Sequence, residues 1–245
     1  MIPKKIHYCW FGRGEKSELI LNCIESWKKY CPDYEIIEWN EDNIDVNATL
    51  YTKQAYEAKK WAFVSDYARL YALYHEGGLY FDTDVEVLKP MDEFLGEEFF
   101  TGFEVKDSPI TAVMGAKSKN IAIKNLLDYY NTAKFVNSDG TLNLLSNTHI
   151  ITDDFIKKGV KLNGKKQIVD GITIYPQIVF CPNNFTRIFN KPSDKSYTIH
   201  HFDQSWKNSK RRDSLIYRVR RYIVGLLRNT VGTNRLESIS KRIKH

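Results

Sequence analysis

Hydrophobic positions along the chain alternate between short strand-like runs and stretches with helical spacing. Residues 6–11 form an apolar and aromatic run that ends at a glycine, and residues 34–39 alternate like a second strand. Between the two, apolar side chains recur with the period of an amphipathic helix. The chain therefore begins with a predicted strand, helix and strand. The apolar positions of the helix are Leu19, Cys23, Ile24 and Trp27. Ser17 is the predicted N-cap, and Cys31 and Pro32 are the predicted stop.

The same alternation continues to about residue 202. A second helix is predicted where five apolar residues share one face, and two glycines end it. These residues are Phe63, Tyr67, Leu70, Tyr71 and Tyr74, followed by Gly77 and Gly78. Further strands are predicted at residues 99–103, 111–116, 173–175 and 197–202, and helical segments at residues 121–130 and 142–157. Strands alternating with helices predict an α/β fold, which binds ligands at the carboxyl ends of its strands.

The composition fits one main α/β domain. The chain has 245 residues, of which 42% are hydrophobic, and this is enough for a full core. Four cysteines without metal-binding spacing, and an N-terminus without an apolar signal region, predict a reducing, cytoplasmic setting. No apolar run approaches the roughly 18 to 20 residues that a membrane span needs. We expect one domain at residues 1–206 and a separate tail at residues 207–245.

Charge is distributed unevenly between these two regions. Residues 207–245 contain twelve Lys or Arg and two acidic residues, whereas residues 1–206 carry a net charge of −4. Apolar tail residues at helical spacing favour an amphipathic helix on anionic lipid, which would hold the protein at the inner face of a membrane. They are Ile216, Val219, Ile223, Leu226 and Leu227. A basic helix packed on the domain is the alternative.

Two carboxylates directly follow the apolar run at residues 78–81. Alternate residues of a strand point to the same side, so Asp82 and Asp84 are expected to face together while Thr83 faces away. Carboxylate oxygens suit Mn²⁺ or Mg²⁺, which keep positions open for substrate phosphates. The pair therefore indicates a metal that binds a nucleotide, whereas two exposed aspartates at a strand end are the alternative.

Further candidates precede this strand. Asp66 and Arg69 lie three positions apart and share a helical face. We expect the pair at one edge of the helix, facing the pocket if the helix packs beside the strand that precedes Asp82. There Arg69 can bond a phosphate, and Asp66 can accept hydrogen bonds from sugar hydroxyls. Trp10, at the end of the first strand, offers a flat face to a base or a sugar. The alternative for Asp66 and Arg69 is a solvated ion pair, and the alternative for Trp10 is ordinary core packing.

Another distinctive segment lies at residues 197–206. His200 and His201 point to opposite faces of a β-like segment, so only one is expected to reach the site. Imidazole is a common third ligand beside carboxylates for Mn²⁺-type metals, although a structural histidine is the alternative. Ser205 and Trp206 can donate a hydroxyl and an indole N–H to a diphosphate. No serine or cysteine lies in a nucleophile-elbow context.

Four blocks, in this order, resemble glycosyltransferase family 32, the group with the DXD sugar-binding region, and the clostridial-type glucosylating toxin domains. The blocks read IPKKIHYCWFG at residues 2–12, SDYAR at 65–69, YHEGGLYFDTD at 74–84 and HHFDQSW at 200–206. The resemblance runs from residue 2 to about residue 206 and is strongest at residues 61–90. It implies a GT-A fold, in which helices flank a Rossmann-like mixed sheet. It also implies a nucleotide-sugar donor, Mn²⁺ or Mg²⁺, and retention of anomeric configuration.

The resemblance also implies a role for each matching residue. Trp10 would stack on the base, Ser65 would lie near the base and ribose, and Asp66 with Arg69 would hold the donor sugar. The segment Ser146-Asn147-Thr148 departs from the Thr-Gly-Pro of many relatives, which leaves the acceptor side and part of the sugar pocket open.

Roles near the diphosphate follow from the same comparison of motifs. Asp82 would contact the ribose and the metal shell, and Asp84 would bind the metal directly. His200 matches the late histidine of the family better than His201. The remaining contacts to the diphosphate would come from Ser205 and Trp206.

Taken together, these residues predict a metal-dependent, retaining glycosyltransferase. It would move a hexose or N-acetylhexosamine, from UDP by preference, to a glycan or lipid-linked glycan in surface or capsular polysaccharide synthesis. Asp66, Arg69 and Asp84 would form the catalytic set, since the metal and Arg69 neutralise charge on the leaving diphosphate. A metal-dependent phosphoesterase or nuclease and a non-catalytic nucleotide-sugar-binding protein are the alternatives. No nucleic-acid partner is expected.

Overall fold

A mixed β-sheet forms the centre of the computed structural model, which describes residues 1–182 and 192–203. The strands are β1 Lys5–Cys9, β2 Glu35–Trp39, β3 Gly78–Phe81, β4 Val85–Val87, β5 Phe99–Val105, β6 Ser108–Pro109, β7 Val113–Ala116, β8 Gln167–Val169, β9 Ile172–Tyr175 and β10 Thr198–His200. In the central sheet they run in the order β2-β1-β3-β7-β5-β9-β8, with β6 paired to β5, while β4 and β10 form a separate antiparallel pair.

Six helices are found among the described residues. They are α1 Glu18–Tyr30, α2 Leu50–Glu57, α3 Trp61–Glu76, α4 Ile121–Thr132, α5 Asn147–Lys157 and α6 Gln177–Phe180. As predicted, Ser17 caps α1 and its side chain accepts a hydrogen bond from the Ile20 N–H. In the part of the chain that the structure describes, no helix is both long and apolar enough to cross a bilayer.

Parallel and antiparallel pairings meet at β3. Strand β1 pairs in parallel with β2 and β3, whereas β7 runs antiparallel to both β3 and β5, and β5 pairs in parallel with β9. The carboxyl ends of β1 and β3 therefore lie side by side, which places the residues after each strand at one edge of the sheet. The α/β prediction, with helices flanking a mixed sheet, is confirmed.

Alternating strand residues build a core on each face of the sheet. Leu79 and Phe81 join one apolar cluster with Trp27 of α1, while Tyr80, between them, joins the other with residues of α2 to α5 such as Tyr51. This period of two is the expected pattern for a strand buried on both faces. Large side chains that are fully buried fill both layers.

A glycine pair connects α3 to β3, as the sequence predicted. Gly77 has a φ of 67° and ends the helix, and a Cβ at this position would lie 2.6 Å from the Ser118 nitrogen. The buried His7 side chain bonds the Gly77 carbonyl oxygen through Nε2 at 2.7 Å, and its Nδ1 accepts from Trp39 Nε1 at 3.1 Å. These contacts fix the position of β3, and of the acidic residues after it, relative to the end of α3.

Several boundaries differ from the predictions. The first strand ends at Cys9, so Trp10 lies in the loop beyond it. The helix α2 was not predicted, and β10 is shorter than the expected strand at residues 197–202. Only part of the predicted apolar face of α3 is fully buried, because Phe63, Tyr71 and Tyr74 are half-buried. Ser205, Trp206 and the tail at residues 207–245 lie outside the described residues.

Candidate functional site

Asp82 and Asp84 lie in a tight turn directly after β3, and this corrects the prediction that strand alternation aligns them. The Val85 N–H donates to the Asp82 carbonyl oxygen at 3.0 Å and closes the turn, while the Asp82 N–H donates to the Ala112 carbonyl oxygen at 2.9 Å. The chain then enters β4. The two carboxylates therefore come together through a reversal of the backbone between two strands.

Strand β10 brings a histidine to this turn from a distant part of the chain. Val85, next to Asp84, is paired with His200. His200 Nε2 lies 3.3 Å from Asp84 Oδ1, whereas His201 Nε2 lies 2.9 Å from Glu86 Oε2. The two histidines therefore face different carboxylates, as the predicted alternation requires.

One ligand atom from each of Asp82, Asp84 and His200 lies within 4.8 Å of the others. Two carboxylates and one imidazole are a donor set that suits Mn²⁺, and the mainly oxygen character also suits Mg²⁺. The residues present thus fit a divalent metal, and His200 rather than His201 completes the cluster.

The charges of this cluster are strongly coupled. Burial raises the pKa of Asp84, but the facing His200 and a hydrogen bond from the Asp203 N–H outweigh it and bring the pKa to about 2. Burial lowers the pKa of His200, and the Asp84 carboxylate reverses this and holds the pKa well above its ordinary value. The Asp84 carboxylate and the His200 imidazole therefore each favour the charged form of the other.

Arg69 joins this cluster to Asp66. Its guanidinium is 6% exposed and donates to Asp66 Oδ1 at 3.1 Å, while Nη1 lies 3.2 Å from Asp82 Oδ1. The same group donates to the carbonyl oxygens of Thr111 at 2.9 Å and Ser65 at 3.3 Å. Both residues are buried and Arg69 reaches Asp82, so the alternative of a solvated ion pair is wrong. Arg69 therefore fixes two carboxylates in place.

Asp66 has an unusual environment for a carboxylate. Burial raises its pKa to about 7, with a further contribution from Asp82, against the opposing effects of Arg69 and a hydrogen bond from the Asn147 N–H. A carboxyl group with this pKa can accept hydrogen bonds from hydroxyl groups, and in its neutral form can also donate one.

Sequence reasoning assigned no role to three polar residues around Asp66. Asn147 is 2% exposed, and its Nδ2 has no hydrogen-bond partner among the described residues. The hydroxyl of the buried Tyr51 also lacks a hydrogen-bond partner among these residues. The Tyr130 hydroxyl reaches Asn147 Oδ1 only at 3.5 Å. Buried polar atoms without partners are costly, so they point to a ligand that completes them. In the sequence, the one signal for these residues was that residues 146–148 depart from the Thr-Gly-Pro segment of many relatives.

Tyr80 is a further residue whose role the sequence analysis did not identify. Its hydroxyl donates to Asp82 Oδ1 at 2.9 Å, and the Arg69 guanidinium carbon lies 4.7 Å from its ring centre. Its position two residues before Asp82 on the end of a strand was the available signal.

The two residues expected near the base lie on separate elements. Trp10 is half-buried, its Nε1 donates to the Gly14 carbonyl oxygen at 2.7 Å, and the Lys16 ammonium lies 5.5 Å from its ring centre. Ser65 on α3 is half-buried and donates to the Trp61 carbonyl oxygen at 3.1 Å. Stacking of a base on Trp10 therefore stays a prediction.

Comparison with known proteins places the acidic turn in a recognised family region. Residues 17–101 match the family described as "Glycosyltransferase sugar-binding region containing DXD motif". The resemblance to the DXD glycosyltransferases is thereby confirmed for the segment that carries Asp66, Arg69, Asp82 and Asp84.

The chain is also similar to a curated enzyme and to solved structures. It is 31% identical over 110 residues to inositol phosphoceramide mannosyltransferase 1 of Schizosaccharomyces pombe, covering 40% of this chain and 33% of that protein. The chain thus matches about a third of the length of this relative. The structure of PaToxG glycosyltransferase has a TM-score of 0.47 at 21% identity and covers 64% of this chain and 69% of its own.

A second solved structure spans more of the chain. It is titled as a glycosyltransferase involved in the glycosylation of the major capsid of PBCV-1. Its TM-score is 0.45 at 12% identity, and the match covers 90% of this chain and 98% of that one.

Proposed function

We propose that this chain, whose residues 17–101 match the model of the DXD glycosyltransferase region, is a metal-dependent glycosyltransferase that uses a nucleotide-sugar donor. The observation that carries the proposal is the continuous set of contacts from Asp66 through Arg69 and Asp82 to the pair of Asp84 and His200. This set offers groups for a sugar, a metal and a diphosphate within one edge of the sheet.

The cluster of Asp82, Asp84 and His200 is the proposed metal site. A bound Mn²⁺ or Mg²⁺ supplies Lewis-acid neutralisation of the departing nucleoside diphosphate. The low pKa of Asp84, which burial opposes and His200 favours, keeps this carboxylate ionised at all physiological pH values. Tyr80 and Arg69 hold the Asp82 carboxylate in a fixed orientation, which reduces the cost of organising the site when substrate binds.

The pocket around Asp66 is the proposed position of the donor sugar. The Asp66 carboxyl, Asn147 Nδ2 and the Tyr51 hydroxyl supply the mixture of donors and acceptors that sugar hydroxyls require. Asp66 is paired with Arg69, and Asp82 and Asp84 are assigned to the proposed metal site. We therefore favour retention by same-face attack, assisted by an oxygen of the donor's own phosphate.

The Trp10 block and the named relative bear on which donor sugar the protein uses. The Trp10 block favours a UDP-sugar carrying a hexose or N-acetylhexosamine. The Schizosaccharomyces pombe relative is a mannosyltransferase by name, so mannosyl donors belong in the same test. For the acceptor we favour a glycan or lipid-linked glycan in surface or capsular polysaccharide synthesis, at the cytoplasmic face of a membrane to which the tail at residues 207–245 would bind.

A thermal-shift panel of UDP- and GDP-sugars, each with Mn²⁺ and with EDTA, tests the proposal. We expect one donor class to raise Tm only with Mn²⁺, and slow Mn²⁺-dependent hydrolysis of that donor to follow. Asp84→Asn should abolish both effects, whereas Asp42→Asn, at a carboxylate that is 66% exposed, should leave both unchanged. Cleavage of nucleic acid or simple phosphoesters without any donor preference would favour the phosphoesterase alternative. Donor binding without hydrolysis or transfer would favour the non-catalytic one.

Flotation with liposomes tests the proposed membrane contact separately. Full-length protein should float with anionic vesicles, and protein lacking residues 207–245 should not. Equal binding by the two proteins would remove the membrane role and leave the glycosyltransferase proposal intact.

A further inference from the structure

The segment after β10 wraps around Asp84. The His201 N–H donates to the Asp84 carbonyl oxygen at 2.9 Å, and the Asp203 N–H donates to Asp84 Oδ2 at 2.7 Å. Between these two donors, Phe202 has a φ of 53°. One residue in the left-handed region thus turns the chain so that two neighbouring backbone groups bond the same aspartate.

A phenylalanine is an unexpected residue at this backbone position. Bulky side chains rarely adopt positive φ, whereas glycine does so without steric cost. Residues held in such conformations cluster at functional sites, where the surrounding structure imposes them. A glycine at position 202 would form the same turn with less strain, so the aromatic ring must contribute something that the backbone alone does not.

The ring of Phe202 covers one face of the His200 imidazole. The two ring centres lie 4.0 Å apart with planes inclined by 37°, and Phe202 is only 5% exposed. Phe202 also belongs to the apolar cluster that contains Val85 and Phe81. Phe202 therefore connects the imidazole to the core of the domain.

We propose that Phe202 is a positioning residue for the metal site: its ring orients His200, and its left-handed backbone aims two N–H groups at Asp84. This inference rests on the proposed function, because it assumes that Asp84 and His200 bind a divalent metal. Groups that hold a metal ligand in place typically contribute about 10–100-fold to metal affinity.

Mn²⁺ affinity of the purified full-length protein, measured by electron paramagnetic resonance titration, tests this role without reference to catalysis. Phe202→Tyr keeps the ring and should bind Mn²⁺ within about twofold of wild type. Phe202→Leu keeps the apolar volume, and it should bind about tenfold more weakly, as should Phe202→Ala and Phe202→Gly.

Thermal unfolding of the same variants separates metal positioning from fold stability. Phe202→Gly should have a higher Tm than Phe202→Ala, since glycine adopts a φ of 53° without strain, yet both should lose Mn²⁺ affinity to a similar extent. Because Phe202→Leu refills the core, it keeps the measurement informative if the smaller variants fail to fold.

Two outcomes would overturn the inference. One is that Phe202→Leu binds Mn²⁺ with wild-type affinity, and the other is that Phe202→Tyr and Phe202→Ala lose Mn²⁺ affinity equally. Failure of the proposed function looks different. In that case wild-type protein and Asp84→Asn would bind Mn²⁺ equally, whatever residue occupies position 202.

Discussion

Replacing Arg69 by lysine should destabilise the protein while keeping the charge at this position. The guanidinium bonds Asp66 and the carbonyl oxygens of Ser65 and Thr111, and it pairs with Asp82. An ammonium group is a single point charge and cannot reach groups arranged around a planar fork. We expect at least two of the four contacts to be lost.

The magnitude follows from the types of contact. All four contacts involve the charged guanidinium, and a hydrogen bond with a charged group contributes about 1.5–3 kcal/mol, so losing two of them costs about 3–6 kcal/mol. For a chain of this size, each kcal/mol lowers Tm by about 2–4 °C. Urea denaturation should therefore show a lower midpoint at an unchanged slope, and Tm should fall by about 6 °C or more.

Arg13 offers a matched control for the same substitution. Its pair with Asp42 is exposed, with side chains 63% and 66% accessible, and such solvent-screened pairs contribute little to stability. Arg13→Lys should therefore leave Tm nearly unchanged. If Arg69→Lys is as mild as Arg13→Lys, then the guanidinium does not organise the two carboxylates, and the reasoning about Asp66 and Asp82 fails.

Three further predictions concern stability and donor binding. Burial lowers the pKa of His7 from its ordinary 6.5, so its contribution to stability is complete above pH 6.5 and is lost as pH falls below that value. In urea denaturation between pH 6.5 and 5.5, wild type should lose up to about 1 kcal/mol more than His7→Gln; parallel curves would contradict this. Asn147→Ala should lower kcat/KM for donor hydrolysis about tenfold with little change in Tm, because Nδ2 has no hydrogen-bond partner among the described residues; unchanged kinetics would remove Asn147 from the proposed sugar pocket. Gly77→Ala should cost about 2 kcal/mol or more, since Gly77 has a positive φ and its Cβ would meet backbone; Gly14→Ala, which meets nothing within 4 Å, should be neutral by thermal unfolding.

Local signals allowed much of the fold to be predicted. The cap at Ser17, the stop at Cys31 and the glycine at position 77 each act within a few residues of the helix end that they define. The strands β1 and β5 appear as largely apolar runs because both of their faces are covered, whereas β2, with Glu35 and Glu38, shows the alternation of a strand that is only partly covered. The short helix α2 has a weak apolar pattern, with exposed Leu50 at its first position, and escaped detection for that reason.

The geometry of the site depends on contacts that local patterns do not contain. Asp82 and Asp84 were expected to align through strand alternation, but a turn aligns them, and a turn and a strand end have similar composition. The burial of Asp66 and Arg69 depends on packing of α3 against elements far along the chain, including Asn147 at the start of α5. Periodicity within one helix cannot reveal such neighbours.

The pairing of β4 with β10 also has a consequence for the order of folding. The Asp203 N–H and Asp84 Oδ2 are separated by 119 positions along the chain, so the entropy lost in closing this loop is offset only when most of the sheet is in place. During synthesis, β4 must wait with an unpaired edge until β10 has emerged from the ribosome. The third member of the Asp82, Asp84 and His200 cluster is therefore absent from the nascent chain until almost all of the described residues have been synthesised.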